Sequence, residues 1–386
     1  MKFRYGAYLE SSFKYIHNEL YCQDVYSKVL DLLASRNNIK FNYLIRISDN
    51  EINYNKVKHH RKIFILRKYR SLVSLIPFYA FYIPFSIKQI REFVNNCDSI
   101  IIMIPSPIAK TIFKIAKEKK KKIIILVRQD IIEMTQNRYS GLKRHIGLFF
   151  ARYYEGFFLK NITNTDVVIT SGEKLTLRYL PSSKSVFNYA DSRFSSSDII
   201  KISELRSVNM KDKLKFIFVG RLEINKGIKE LLAAALNFRH CIILTIIGGG
   251  TLESYVRDFI QGHNLSNTIN CIGHIEFGSD LLKVYRRNDF FIFPSYSEGL
   301  PQVLLEAMAS GCVVITTDVG SIPYIVQNNV NGVLFKAHDQ TSLNTTIQRL
   351  LEGSFNTSRL RKNGIKTALK YTSERQIEIF EKALHS

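Results

Sequence analysis

The sequence predicts an α/β protein of two domains, each a parallel sheet covered by helices on both faces. Three observations carry the prediction. At 386 residues and 46% hydrophobic side chains, the chain supplies two cores at roughly 100–200 residues per domain, and extended disorder is excluded. Short unbroken apolar runs, the form taken by strands buried on both faces, alternate with helix-period stretches along most of the chain. A Ser-rich stretch poor in strand signal, 182–211, interrupts the alternation and marks the inter-domain connection.

In chain order, residues 41–47, 99–104, 122–127 and 166–170 read as strands of the first half, and 18–34, 108–119 and 142–159 as its helices. From residue 213 the pattern is more regular. The run 215–221 precedes a helix over 228–236, and the run 241–248 leads through Gly249 and Gly250 to a helix over 252–261. The runs 268–273, 289–294, 313–318 and 332–335 repeat the theme, and after 338 the chain reads as helical to its end. Two such domains joined by a linker leave a cleft between them, lined by the carboxyl ends of strands.

The formal net charge is +22, and it is uneven: residues 1–200 hold 33 basic and 16 acidic side chains, the remainder 22 and 17. Between 52 and 91 there are nine basic residues and no acid, beginning Lys56, Lys58, Arg61, Lys62 and continuing through Arg67, Lys68 and Arg70. Beside these lies the apolar stretch 71–87, with Phe78, Tyr79, Phe81 and Tyr82. It contains Pro77 and Pro84 and falls short of the roughly 18–20 residues that a spanning helix needs. Two readings stand: a patch for an anionic membrane surface carrying a lipid-linked acceptor, or a basic helix face beside an ordinary buried one.

Five widely spaced cysteines with no CxxC pair fit a reducing compartment, and the three in strand-like runs are expected to be buried. The N-terminus has no apolar signal core, so the expected location is cytoplasmic, at most peripheral on the inner face of the cell membrane. Nine histidines form no HxH or HxxxH pattern, and no metal is expected.

Chemistry concentrates in the second half. Pro294 closes a buried strand, residues 295–300 form a loop, and Pro301 opens a helix over 302–310. Free N–H groups and the helix dipole at that start favour an anion, and Gly299 lets the backbone come close to it. Glu298 lies in the loop and Glu306 about two turns later, so both can face one strand-end crevice. Solvated surface carboxylates are the alternative, although Leu304, Leu305, Ala307 and Met308 surround Glu306 with core-type residues. Arg221 follows Gly220 at a strand end, and Lys226 with Gly227 opens the next helix, setting two cations at the same sheet edge for a phosphate. A pair of solvated charges is the alternative. The triplet from Gly248 to Gly250 has the form of a phosphate loop or of a tight strand–helix turn.

Six motifs follow in order: FVGRL-x3-KG, IIGGG, CIGHI, FPSYSEGLPQVLLEAMASG, TTDVGSIPYIV and NGVLF. Over 213–352 they resemble the nucleotide-binding domain of the family-4 retaining glycosyltransferases, which have the GT-B fold. Ser171 after DVVIT, and Phe187-Asn188-Tyr189-Ala190-Asp191-x2-Phe194, resemble the family's inter-domain region, with Tyr189-Ala190 where Gly-Val is usual. The resemblance implies two Rossmann-like domains facing across a cleft. Residues 1–195 would bind the acceptor, 196–212 form a linker, 213–365 bind the donor, and 366–386 form a C-terminal helix crossing back to the first domain.

It also implies residue roles. Arg221 and Lys226 would bind the donor's diphosphate and stabilise the leaving nucleoside diphosphate, with no metal or other cofactor. Glu306 would accept hydrogen bonds from ribose hydroxyls, while Glu298, Gly299 and Leu300 meet the donor sugar and phosphates. Gly220, Gly248 and Gly250 would line the donor site, and Gly273, His274 and Ile275 would lie near the base. The implied reaction moves a hexose-type sugar with retention from a nucleotide-diphosphate sugar, UDP-sugar favoured. Its acceptor would be a saccharide or lipid-linked saccharide in bacterial-type surface polysaccharide assembly. A front-face path and a covalent intermediate both stay open. A non-catalytic partner subunit, a phosphorylase and an epimerase are alternatives on the same fold, and nucleic acid is not an expected partner.

The first half departs from the family. A Gly-Gly loop usually follows the first strand, but here the segment reads Leu9-Glu10-Ser11-Ser12-Phe13. His-Asp often follows the strand at 122–127, but here Arg128-Gln129-Asp130 stands. Asp130 is a catalytic candidate acting on the sugar or acceptor hydroxyl, or else a helix cap.

Overall fold

A computed structural model describes residues 3–22, 25–47, 55–66, 79–163, 166–190 and 192–386. The chain folds as two compact units, one of Met1–Asp191 with Ile377–Ser386, the other of Ser192–Gln376.

The first unit holds β1 (Tyr5–Ile16), β2 (Glu19–Cys22), β3 (Phe41–Ile47), β4 (Asn55–Val57), β5 (His60–Ile65), β6 (Ser99–Ile104), β7 (Lys122–Val127), β8 (Val167–Ser171) and β9 (Ser185–Tyr189). Seven run parallel in the order β5-β3-β1-β6-β7-β8-β9. The isoleucine-rich centre feeds two cores, because alternate residues of a strand face opposite sides. Ile100, Ile102 and Ile104 pack with the helices Tyr79–Asn95, Pro107–Glu118 and Gly141–Asn161. Ile101 and Met103 pack with Val25–Asn37 and the C-terminal helix Ser373–His385. That last helix buries Ile377, Phe380 and Leu384 in this core, and Phe380 meets the Tyr189 ring at 5.0 Å.

Several elements differ from expectation. β1 shifts register between Tyr8 and Ser12 and then pairs antiparallel with β2, so the segment 9–13 is strand rather than loop. The same pairing delays the expected helix at 18 until Val25. β9 lies within the stretch read as the inter-domain connection. Residues 196–212, expected as a linker, lie on the second unit: Ile200 N donates to Ala309 O at 2.9 Å, and Arg361 Nη1 to Arg206 O at 2.6 Å.

In the basic stretch, Lys56 lies on β4 and pairs with Glu19, while Lys58, Arg61 and Lys62 are exposed on or beside β5. Both are edge strands among the described residues, where charge discourages pairing with another chain. Arg67, Lys68, Arg70 and Phe78 lie outside the described residues, and Tyr79, Phe81 and Tyr82 fall in the first turn of a helix.

The second unit is a six-stranded parallel sheet of β10 (Leu214–Val219), β11 (Ile242–Ile247), β12 (Ile269–Gly273), β13 (Phe290–Phe293), β14 (Val313–Thr317) and β15 (Val333–Phe335). Its order is β12-β11-β10-β13-β14-β15. Connections step outward from β10 to β12, then return to β13 on the other side of β10. The loops after β10 and β13 therefore diverge and open a crevice at the carboxyl edge. Cys22, Cys97 and Cys312 are buried, whereas Cys271 is exposed on edge strand β12 and Cys241 is exposed just before β11. Among the described residues no helix is long and apolar enough to cross a membrane.

Candidate active site

The crevice between β10 and β13 is held together by backbone. Gly227, in the left-handed region at φ 66°, opens the helix Ile228–Asn237 and lies so close to the loop after β13 that a Cβ would stand 2.1 Å from Pro294 O. Tyr296 N donates to Asn225 O at 2.9 Å, and Ser295 Oγ lies 3.2 Å from the same carbonyl. Thr317, ending β14, donates from its hydroxyl to Ser295 O at 2.6 Å. The loop carrying Glu298 is thus tied to the loop carrying Lys226 and to the next strand.

Across this seam Lys226 and Glu298 form an ion pair, with side chains only 12% and 10% exposed. Ser295 Oγ donates to the same Glu298 oxygen. The Lys226 ammonium also lies 5.5 Å from the Phe293 ring centroid. Arg221 stands apart: it is 70% exposed and pairs with Glu223 at 2.7 Å. One cation is therefore held in the crevice and the other stands at its mouth, free to swing with little desolvation.

The glycine triplet continues the same edge. Gly248 (φ 138°) would bring a Cβ to 1.9 Å from Gly220 O, and Gly220 N donates to Ile247 O at 3.0 Å. Gly250 is also close-packed, its Cβ position 2.6 Å from Leu222 O. These two glycines serve a close approach of loop to loop, which is the tight-turn alternative. Gly248 N donates to Gly273 O at 2.9 Å, which joins the segment from Gly273 through His274 and Ile275 to this edge. Gly299 has open space around its Cβ position, leaving its backbone approachable. Leu300 packs against the unit's core.

Glu306 is 3% exposed in the helix Gln302–Ala309, so the surface-carboxylate alternative fails for it. It accepts from the Tyr285 hydroxyl at 3.2 Å. Burial raises its pKa, opposed by the charge of Arg193 and by the Tyr285 bond. Glu298 and Glu306 thus have separate partners.

Asp130 lies in the first unit. It caps the helix Ile131–Arg138, accepting from Ile132 N and Glu133 N at 3.0 and 3.1 Å. Its second oxygen meets Arg178 at 2.8 Å and Lys174 at 3.4 Å. Burial pushes its carboxyl up, but the Arg178 bond, the Glu133 N–H and the two cations leave it below the ordinary range. The cap is the observed arrangement.

Sequence reasoning missed five contributors to the site: Tyr285, Ser295, Tyr296, Thr317 and Gly320. Gly320 (φ 57°) would place a Cβ 1.8 Å from Glu298 O. Its position, directly after a strand-end Asp-Val, was the available signal. Tyr296 has its ring stacked on His338 at 3.7 Å and its phenol raised by burial and a hydrogen bond to Glu230. Among the described residues, no three His, Cys, Asp or Glu side chains group as ligands for a metal.

Two Rossmann-like units, the second with its charged pair at the strand-order switch, make this a GT-B glycosyltransferase fold. Residues 202–367 match the model of the family described as glycosyl transferases group 1. The chain is similar to an uncharacterized glycosyltransferase of Methanocaldococcus jannaschii, 33% identical over 154 residues, 39% of each chain. It is also 29% identical over 149 residues to the amylovoran biosynthesis glycosyltransferase AmsK of Erwinia amylovora, 36% of each chain. The match thus spans less than two fifths of either relative's length. Among solved structures, Anabaena HepE in complex with UDP shares the fold, with TM-score 0.64, 17% identity, and coverage of 99% of this chain and 100% of that one.

Proposed function

We propose that the chain is a retaining glycosyltransferase that moves a sugar from a nucleotide-diphosphate sugar, with a UDP-sugar favoured, to a saccharide or lipid-linked saccharide. The observation that carries this reading is the Lys226–Glu298 pair held in the β10/β13 crevice, with Arg221 exposed at its mouth. An arriving diphosphate competes with Glu298 for Lys226 and recruits Arg221, so both cations meet the charge that grows as the nucleoside diphosphate leaves. No metal is then required. Glu298, once released, faces the sugar with the backbone of Gly299 and Leu300. Glu306 takes the ribose hydroxyls, and the segment from Gly273 to Ile275 lies by the base.

The first unit, in this reading, carries the acceptor, and Asp130 serves its architecture. AmsK, named for amylovoran biosynthesis, and HepE, solved with UDP, support polysaccharide assembly and a uridine donor. A cytoplasmic enzyme, peripheral at the inner face of the membrane, fits such an acceptor. The test is a screen of UDP-, GDP- and other activated sugars for thermal stabilisation and donor hydrolysis, with Lys226→Ala as control. A UDP-sugar should stabilise and turn over. Stabilisation without turnover in the presence of acceptor glycans points to a non-catalytic subunit, and product analysis separates transfer from phosphorolysis or epimerisation.

A further inference from the structure

The helix Gly141–Asn161 has two apolar sides. The inner side buries Leu148, Ala151 and Phe158. On the opposite side Leu142, Ile146, Phe149, Phe150 and Tyr153 recur at i, i+4, i+7, i+8 and i+11, one stripe of a 3.6-residue helix. They are 75%, 50%, 68%, 45% and 60% exposed. Single exposed apolar residues are ordinary, but a contiguous stripe of five marks a contact surface.

The rim of the stripe is cationic. Glu155 is the only acid in this helix, and it is turned inward onto Arg178 at 2.8 Å. Lys143, Arg144, Arg152 and Lys160 are exposed along its length. From the neighbouring helix Pro107–Glu118, Lys110 donates to the Tyr153 hydroxyl at 2.9 Å and lies 4.5 Å from its ring centroid. Lys114 lies 5.8 Å from the Phe157 ring centroid.

We infer that this face docks on an anionic lipid bilayer, the helix lying in the interfacial plane with its stripe in the acyl boundary and its cations among the headgroups. Aromatic and aliphatic residues on one side with Lys and Arg at the rim are the composition of an in-plane helix. A second copy of this chain fits poorly, because two such faces would oppose cation to cation. At 21 residues with four Lys and Arg side chains, the helix lies on the membrane and does not cross it. The inference rests on the proposed lipid-linked acceptor for its purpose, and it moves the membrane contact away from the edge-strand lysines.

The test is co-sedimentation of the full chain with phosphatidylcholine vesicles, with and without roughly 30% phosphatidylglycerol, at low salt. The unaltered chain should bind the anionic vesicles about tenfold better and lose that advantage in salt. The triple change Ile146→Ser, Phe149→Ser, Phe150→Ser should lower binding about tenfold while keeping its melting temperature and its vesicle-free donor hydrolysis. Lys58→Ser with Arg61→Ser should bind as before. Three results overturn the inference: no vesicle binding by the unaltered chain, unchanged binding by the folded triple variant, or a dimer in light scattering that the triple variant abolishes. Donor hydrolysis without vesicles separates this failure from failure of the proposed function: activity without vesicle binding sinks only the docking face.

Discussion

Gly320 lies directly against the backbone of Glu298, with its Cβ position 1.8 Å from the Glu298 carbonyl oxygen and its own φ at 57°. The turn after β14 therefore supports the loop from which Glu298 projects. Gly320→Ala must either shift that loop or strain the turn, at about 1–3 kcal/mol. A lower melting temperature and at least about a tenfold fall in donor turnover are expected. An alanine variant with native melting and native turnover would remove the turn from the site's architecture.

Lys226 and Glu298 invite a double-mutant cycle. Removing either partner alone leaves a nearly buried charge without its counterion, at about 3–5 kcal/mol. Removing both should cost clearly less than the sum of the single changes, as read by urea unfolding. Turnover should behave differently: Lys226→Ala alone should lower it by about a hundredfold or more, and adding Glu298→Ala should not restore it.

Glu306 yields a pH signature. Its carboxyl is raised above the ordinary 4.5 by burial. Between the unfolded and folded values the native state binds more protons than the unfolded one, so stability falls as pH rises through that window. Glu306→Gln removes the buried charge and keeps an acceptor for Tyr285. It should melt above the unaltered protein at neutral pH, with the difference closing below about pH 4.5. Equal melting at all pH values would contradict the burial seen here.

Asp130 should show the opposite sense. Its carboxyl is held below the ordinary 3.8, so its contribution is present above that value and is lost as pH falls through the folded one. Asp130→Ala should cost about 1–2 kcal/mol at neutral pH from the lost cap, and less in acid. Asp130→Asn, which can still accept from Ile132 N, should lose less than alanine does.

The second unit was legible almost strand by strand, since central runs such as Phe290–Phe293 and Val313–Thr317 are buried on both faces, and even the exposed edge strand β12 is bounded by Gly273. The first unit was less so. β5 carries His60, Arg61 and Lys62 on an open edge, and its charges hide its strand character. β1 is masked by the polar Glu10, Ser11 and Ser12 in its middle. At the site, the charged and glycine residues could be read from their places after strands. Tyr285 and Thr317 could not, because their partners Glu306 and Ser295 lie on other elements, and Ser295 could not, because its place beside the loop of Asn225 comes from the fold.

The stripe on Gly141–Asn161 shows a similar limit. Its two apolar sides cancel in any one-face reading, so the segment looks like an ordinary buried helix until its exposure is known.

The C-terminal helix gives the chain an inserted topology. Residues 192–376 form one unit, while Ile377, Phe380 and Leu384 return to complete a core begun by β1 and β3. During synthesis the first unit emerges early yet lacks part of its interior until residues 377–384 have left the ribosome. The second unit, contiguous in sequence, can close before it, so the order of maturation runs against the order of translation.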